Sequence, residues 1–221
     1  SPAGTATIFL ADKPGAAQSI VRAGHLTIPR HDPDYYTLNL LNYIFGGQFS
    51  ARLNMNLRQD KGYSYGYTSS IEWCAGPSAL IAGGGVDTAV TREAVAETLK
   101  EFADIGGARP VTSEEFDAAR DGILRALPSQ FETQSQVLQQ LTRLVLFDLP
   151  DDYFSRYAAN IEAISLDNVR RVAVERIDNG HLKILVVGDR SVIEPGLREL
   201  GLPIVMVDYE GNELPQGRSD R

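Results

Sequence analysis

The pattern of apolar positions at the start of the chain predicts two β-strands. Residues 6–11 are mostly apolar, and residues 18–28 carry Ile20, Leu26 and Ile28 at even spacing. Side chains two positions apart in a strand lie on the same face, so these three share one face. The segment DKPGA between the two runs contains the proline and glycine of a turn.

Two helices are predicted next. The first has Asp32 as its N-cap and Pro33 at its first helical position, and the glycine pair Gly46 and Gly47 ends it. Its sequence is apolar almost all round, which indicates a buried helix.

The second helix is predicted to begin with Ser50 as its cap and to end at Gly62. Leu53 and Leu57 stand at i and i+4, which places them on one face. Arg58 then falls on the last turn of this helix, where a cation complements the helix dipole.

A β-hairpin is predicted over residues 63–74 and 79–86, divided by AGP. Tyr63, Tyr65 and Tyr67 alternate within its first strand, so we expect all three on one face. An aromatic stripe at strand spacing usually packs in the core, and we keep that interpretation for Tyr63 and Tyr67.

The rest of the chain reads as a helical block followed by strand, helix and strand. Thr112 and Glu115 form a capping box, and Ser165 caps a later helix. The predicted helices are 88–104, 112–127, 129–148, 151–163, 166–177 and 191–200, with strands at HLKILVVGD and PIVMVDY. This segregated order predicts an α+β fold, with a mixed, mostly antiparallel sheet of five to six strands packed against a layer of helices. We expect residues 1–221 to form a single domain.

Composition excludes several classes of function. The formal net charge is -8 and no basic cluster is present, which argues against nucleic-acid binding. Cys74 is the only cysteine, so no intrachain disulfide can form. No apolar run reaches the length of a membrane span. The chain begins without methionine and close to a strand, as an excised part of a longer polypeptide would.

The histidines do not form a zinc motif. A zinc hydrolase needs two histidines one helical turn apart and a nearby carboxylate. This chain has only His25, His31 and His181, and neither H-E-x-x-H nor H-x-x-E-H occurs. We therefore interpret them as unconnected structural or surface histidines. A serine triad built on Ser50 or Ser64 has no G-x-S-x-G elbow to support it.

The segment AGGGVDTAV lies where a strand gives way to a helix, a place at which glycines can present backbone N–H groups to a phosphate. It lacks the lysine of a P-loop and the spacing of G-x-G-x-x-G. We therefore favour glycines that let another backbone approach the strand closely, and an extended peptide would be one such backbone.

The run YIFGGQFSARLNMNLRQDKGYSYGY resembles the insulinase-like inverted-zincin metallopeptidases, a family that includes pitrilysin and the mitochondrial processing peptidase. The shared features are a glycine pair, a phenylalanine-serine, a small residue-Arg-Leu helix start, and an arginine followed seven residues later by a tyrosine. Here they are Gly46-Gly47, Phe49-Ser50, Ala51-Arg52-Leu53, and Arg58 with Tyr65.

The resemblance implies the zinc-motif-free, C-terminal half-domain of a zinc endopeptidase. In it, Arg58 and Tyr65 would bind peptide substrate near the scissile bond. No cofactor or metal is expected in this chain, and Zn is expected on a partner domain or subunit that carries H-x-x-E-H.

The alternative is a catalytically inactive assembly subunit of the same family. A self-sufficient hydrolase is a third option, which the missing metal motif disfavours. A periplasmic location is implied by resemblance only.

Overall fold

The computed structural model describes residues 5–215, and within them six strands form one sheet. Their bounds are Thr7–Asp12 (β1), Gln18–Thr27 (β2), Ser64–Glu72 (β3), Ser78–Asp87 (β4), Lys183–Gly188 (β5) and Ile204–Val207 (β6). The order across the sheet is β3-β4-β2-β5-β1-β6. Strand β2 is antiparallel to β4 and β5, and β3 is antiparallel to β4, whereas β1 is parallel to β5 and β6. The predicted mixed, mostly antiparallel sheet is confirmed.

The helices follow the predicted segments to within a few residues. Their bounds are Tyr35–Phe45 (α1), Arg52–Asn54 (α2), Thr91–Ile105 (α3), Ser113–Ala126 (α4), Gln134–Leu146 (α5), Tyr153–Glu162 (α6), Leu166–Arg176 (α7) and Arg190–Arg198 (α8). Helix α2 continues as a π-helix over Met55–Asp60, and short 3₁₀ turns span Thr88–Val90 and Pro128–Phe131. The α+β class is therefore confirmed.

Within the described residues, no helix combines the length and apolar character that crossing a bilayer requires.

The core lies between the sheet and the helices. Buried residues of β2, including Val21 and Ala23, alternate with exposed ones, and Ile20 and Leu26 belong to the exposed set. The face of Ile20 and Leu26 is thus the solvent face of the sheet, whereas Ile28, predicted to share it, lies beyond the end of β2 and is buried. On the other face, Phe45 of α1 packs edge-to-face on Phe102 of α3, with ring centroids 4.9 Å apart.

The start of α1 differs from the prediction. Asp34, and not Asp32, precedes the first helical residue, and its side chain makes no capping bond. The Asp34 carboxylate instead accepts hydrogen bonds from Arg171 and Arg176 of α7. Those two arginines, beginning with Arg171, hold the pKa of Asp34 below its usual range although burial opposes them. Asp32 accepts a bond from the Asp34 N–H in the turn before the helix, so Pro33 also lies outside it.

The start of α2 differs as well. Ala51 is the N-cap residue, and it is extended with no side-chain bond to the helix. Ser50 Oγ donates to Gln48 Oε1 at 2.8 Å, and its N–H donates to the same oxygen at 2.9 Å. The Ser50 hydroxyl is therefore committed to the loop, and the prediction that it caps the helix is wrong.

The outer edge of β3 is partly closed by the chain itself. The Tyr67 N–H donates to Asn54 Oδ1 at 3.1 Å, and the Ser69 N–H donates to Gly46 O at 2.9 Å. A Cβ at Gly46 would lie 2.5 Å from the Ser69 nitrogen, so only glycine allows this contact. The loop after α1 and the start of α2 are thereby attached to the edge strand.

The glycines of β4 do allow close backbone approach, as predicted, but the approaching backbone belongs to this chain. A Cβ at Gly83 would overlap Val21 O of β2, and a Cβ at Gly84 would overlap Gly66 O of β3. Strand β4 lies between these two neighbours inside the sheet. It therefore has no free edge to which an extended peptide could add.

Candidate substrate-binding site

Arg58 lies on the π-helix that continues α2. The wider turn changes the direction of the side chains after Asn54, and such segments are frequent at functional sites. The Arg58 side chain is half-buried, and its guanidinium carbon lies 4.6 Å from the centroid of the Phe49 ring. Within residues 5–215 no hydrogen bond or ion pair engages this guanidinium, so its N–H donors are not used by that part of the chain.

Gly62 reverses the chain after the π-helix, as predicted. Its φ of 67° lies in the left-handed region that favours glycine. The Lys61 N–H donates to Asn56 O at 3.0 Å, and the Tyr63 N–H donates to Leu57 O at 2.8 Å, which closes the end of the helix. The strand that carries Tyr65 therefore begins directly beside the helix that carries Arg58.

A β-bulge lies at Tyr65. Ser64 pairs with Val86, but the next paired residue is Tyr67 with Gly84, so β3 has one extra residue at this point. Ser64 Oγ lies 2.7 Å from Gly85 O, which fixes the bulge to β4. The extra residue changes the alternation of faces on either side of it.

The bulge separates the tyrosines that the sequence placed on one face. Tyr67 is fully buried, and its hydroxyl lies 2.7 Å from Thr98 Oγ1. Burial raises the pKa of Tyr67 above its usual range, although the Thr98 bond opposes this, so the phenol stays protonated. Tyr65 is 87% exposed, and its hydroxyl makes no hydrogen bond within the described residues. The core role predicted for Tyr67 is confirmed, as is that of Tyr63, which packs against the core.

Two residues support the pair, and the sequence analysis assigned neither a role. Phe49 lies under Arg58, and Asn54 Nδ2 donates to Phe49 O at 2.7 Å. Because Asn54 Oδ1 also accepts from the Tyr67 N–H, one buried amide ties the Phe49 loop to β3. The motif already contained Phe49, but Asn54 carries no signal of its own in the sequence. No hydrogen bond joins Arg58 to Tyr65 within residues 5–215, and their convergence on one peptide stays a prediction.

Arg52, in the motif before Arg58, has a structural role. Its Nε and Nη2 donate to Glu115 Oε1 and Oε2 at 2.7 and 2.6 Å, and Nη1 donates to Arg109 O at 2.5 Å. Burial raises the pKa of Glu115, but the bonds from Arg52 and the Thr112 backbone outweigh it and hold the pKa below its usual range. The predicted capping box of Thr112 and Glu115 is present in addition.

The histidines form no metal site. No group of three or more His, Cys, Asp or Glu side chains suited to a metal ion occurs in the described part of the chain. His25 is buried, with Nδ1 2.9 Å from Leu26 O and Nε2 accepting from the Asp178 N–H at 3.3 Å. His181 lies 2.8 Å from the Asp178 carboxylate, so these two histidines are linked through Asp178, contrary to the prediction of unconnected residues. His31 is exposed.

A cavity of about 900 Å³ lies beside the π-helix but is separate from the predicted pair. Asn56 and Lys61 line it, whereas Arg58 and Tyr65 do not. Asn56 Nδ2 donates to Glu97 and Glu101, at 3.0 and 2.8 Å, on its α3 wall. The predicted pair therefore lies outside this cavity.

A family model described as the peptidase M16 inactive domain matches residues 2–123. The chain belongs to this family. The resemblance inferred from the glycine pair and the Arg58 to Tyr65 spacing is confirmed, as is the assignment to the inactive, zinc-motif-free type of half-domain. None of the curated proteins compared with the chain is similar enough to count as a match.

Solved structures with the same fold include bacterial peptidase domains. The peptidase M16 inactive domain from Pseudomonas fluorescens is 21% identical with a TM-score of 0.75, over 84% of this chain and 44% of that one. A protease from Helicobacter pylori is 18% identical with a TM-score of 0.70, over 85% of this chain and 45% of that one. The present chain thus spans less than half of each of these relatives.

A third structure has nearly the same extent as this chain. It is the inactive peptidase domain of a candidate zinc protease from Bordetella parapertussis, which is 17% identical with a TM-score of 0.66. The match covers 77% of this chain and 92% of that one. At these identities the likeness establishes the fold, and the family model establishes the membership.

Proposed function

We propose that this chain is the substrate-binding, zinc-free half of a zinc-dependent endopeptidase. Arg58 and Tyr65 hold the peptide backbone near the scissile bond, and a separate domain or subunit with H-x-x-E-H supplies Zn and the attacking water. Residues 1–221 would then be one half-domain of a larger peptidase. Membership of the inactive-domain family supports the division of roles.

The observation that carries the proposal is the state of the two side chains. Both Arg58 and Tyr65 have unused donors in the described part of the chain, and Gly62 brings their two elements together. A guanidinium and a phenol can donate to a peptide carbonyl and stabilise the negative charge that develops when the carbonyl is attacked. Packing of Arg58 on the Phe49 ring leaves the N–H donors of the guanidinium unused in the described part of the chain.

The test needs the zinc-bearing half, which we would identify by H-x-x-E-H in the same gene or a neighbouring one. Peptide hydrolysis is measured with the wild type, Arg58→Ala, Arg58→Lys and Tyr65→Phe. Loss of one donor at an oxyanion costs about 100-fold to 1,000-fold in kcat, and we expect losses of this order. Arg58→Lys should recover only part of the rate, because an ammonium lacks the planar fork of donors.

Two exposed residues provide matched controls. Tyr209→Phe removes a hydroxyl from another exposed tyrosine, and Arg156→Ala removes a surface arginine that pairs with Asp152. Both should hydrolyse peptide at the wild-type rate. Wild-type rates in the Arg58 and Tyr65 variants as well would refute the proposed roles.

The alternative function is a catalytically inactive assembly subunit. One structure with this fold belongs to complex III2 from Candida albicans, at 13% identity and a TM-score of 0.72 over 89% of this chain. Helix α5 also exposes an apolar stripe of Val137, Leu138, Leu141 and Val145, which is suited to a protein contact. A native protein without H-x-x-E-H and without a zinc-bearing partner would favour this function.

A further inference from the structure

A second cavity, of about 560 Å³, lies between the edge strand β3, the start of α1, and helices α5 and α6. Its walls include the aromatic rings of Tyr35, Trp73 and Tyr153, together with the polar side chains of Asn39 and Ser69. The lining contains neither Arg58 nor Tyr65. Its volume is in the range of small-ligand sites, and its mixture of aromatic walls and a few polar groups is typical of them.

Arg30, which also lines this cavity, is only 6% exposed. Its Nη2 donates to Tyr153 Oη at 2.8 Å, and its guanidinium carbon lies 3.4 Å from the centroid of the Tyr35 ring. No carboxylate lies within ion-pair distance of Arg30 in the described part of the chain. A buried guanidinium that rests on aromatic rings without an anion is uncommon, because burial of a charge is costly unless it is paired.

Most donors of the Arg30 guanidinium are not used by the described part of the chain. Only its Nη2 makes a side-chain hydrogen bond within residues 5–215. Within residues 5–215, two side-chain polar atoms are fully enclosed without a hydrogen-bond partner, namely Thr27 Oγ1 and Glu101 Oε2. Nε and Nη1 of Arg30 make no hydrogen bond but are not fully enclosed. Both nitrogens therefore keep some accessible surface, and Arg30 lines this cavity.

The charge of the lining points in the same direction. No aspartate or glutamate lines this cavity, and Arg143 adds a second cation at its wall, although the whole chain carries a formal net charge of -8. Two of the arginines that line the cavity near the π-helix are different, because Arg52 pairs with Glu115 and Arg109 pairs with Glu101. The cavity around Arg30 is thus a local site of unneutralised positive charge.

We propose that this cavity binds a carboxylate of a peptide, with Arg30 as the anion-binding residue and the aromatic walls holding the adjacent apolar group. A carboxylate matches the planar fork of a guanidinium, and a single buried cation balances its single charge. The carboxylate comes either from the C-terminus of a peptide or from an acidic side chain. The site makes this domain a second point of peptide or partner recognition, and it does not depend on the roles proposed for Arg58 and Tyr65.

Trp73 provides the measurement, because it is the only tryptophan of the chain and it lines the cavity. Three N-acetylated pentapeptides with a central phenylalanine are titrated while tryptophan fluorescence is recorded. The first has a glutamate side chain and an amidated C-terminus, the second has glutamine and a free C-terminal carboxylate, and the third has glutamine and an amidated C-terminus. We expect one or both carboxylate peptides to bind at least tenfold more tightly than the neutral peptide.

The comparison of the first two peptides identifies the source of the carboxylate. Equal binding of all three peptides to the wild type, or no binding of any, would overturn the proposal. Tighter binding of inorganic phosphate than of either carboxylate peptide would also overturn it and assign a phosphate site instead. These outcomes need only the wild-type chain.

The variant Arg30→Met keeps the length of the side chain and removes its charge. It should bind the three peptides equally, whereas Arg156→Gln, on the exposed side of α6, should discriminate as the wild type does. Retained discrimination in a folded Arg30→Met variant would refute the role of Arg30. Should this variant fail to fold, the wild-type titrations still decide the matter.

Discussion

Arg52 and Glu115 are 63 positions apart in the chain and are joined by two hydrogen bonds, of 2.7 and 2.6 Å. The pair connects the residue at the start of α2 with the capping box of α4. It thereby fixes the position of the helix that carries Arg58, although neither residue touches the proposed peptide site. Of the two arginines in the family motif, Arg52 is therefore a structural residue, whereas Arg58, six positions later, makes no hydrogen bond or ion pair within residues 5–215.

We expect Arg52→Met to lower the free energy of unfolding by about 3 kcal/mol, because it leaves the carboxylate without its buried partner. Urea denaturation followed by circular dichroism measures this. Arg120→Met removes a more exposed pair with Asp117 and should cost less than about 1 kcal/mol. Equal losses in the two variants would show that the Arg52 pair has no special weight.

The glycines of β4 provide a second test. Gly83→Ala places a methyl group against the backbone oxygen of Val21, and we expect severe destabilisation or failure to fold. Gly85→Ala is the matched control, since the nearest atom to its added Cβ would lie at an ordinary 3.5 Å. It should change the melting temperature by only a few degrees. A Gly83→Ala protein as stable as Gly85→Ala would contradict the observed strand spacing.

The bulge predicts opposite behaviour for two neighbouring tyrosines. Tyr67→Ala empties a fully buried position and should cost about 3–5 kcal/mol, whereas Tyr65→Ala should stay within about 0.5 kcal/mol of the wild type. Chemical denaturation of both variants checks this. Comparable losses would mean that the two rings share one environment and that the bulge is absent.

His25 predicts a pH dependence of stability. Burial lowers its pKa below the ordinary 6.5, although the backbone bond to Leu26 and the charge of Asp178 oppose this. The unfolded chain therefore binds a proton near pH 6.5 that the folded chain takes up only at lower pH. The free energy of unfolding should accordingly fall as the pH drops below about 6.5, until the folded protein is also protonated.

Urea titrations between pH 8 and pH 5 measure this dependence in the wild type, His25→Gln and His31→Gln. The slope below pH 6.5 should be smaller in His25→Gln and unchanged in His31→Gln, because His31 is exposed. An identical slope in all three proteins would assign the effect to other groups.

Much of the fold follows from local signals in the sequence. The capping boxes at Thr112 and Ser165 locate two helix starts, and Gly62 locates a helix end, because each is a short-range interaction between residues close in the chain. The hairpin of β3 and β4 follows from alternation and a turn for the same reason. The antiparallel pairing of β3 with β4 was thus predictable, whereas the pairings of β2 with β4 and β5 join strands that are distant in the chain.

Features that depend on distant partners were not predictable. The Asp34 carboxylate accepts hydrogen bonds from two arginines of α7 and does not cap α1, and nothing near Asp34 in the sequence indicates this. The π-helix and the bulge are each a shift of one residue that depends on contacts with other elements. For that reason the sequence placed Tyr65 and Tyr67 on one face, and the structure places them on different ones.

The partly closed edge of β3 has a consequence for how this domain associates with other chains. A strand from another molecule that approached at Tyr67 or Ser69 would find both amides already bonded, to Asn54 and Gly46. The sheet therefore cannot be extended from one copy to the next at this position, which protects a long exposed strand from templating fibres. The Asn54 contact that attaches the arginine-bearing helix to the tyrosine-bearing strand therefore also blocks the addition of a strand there.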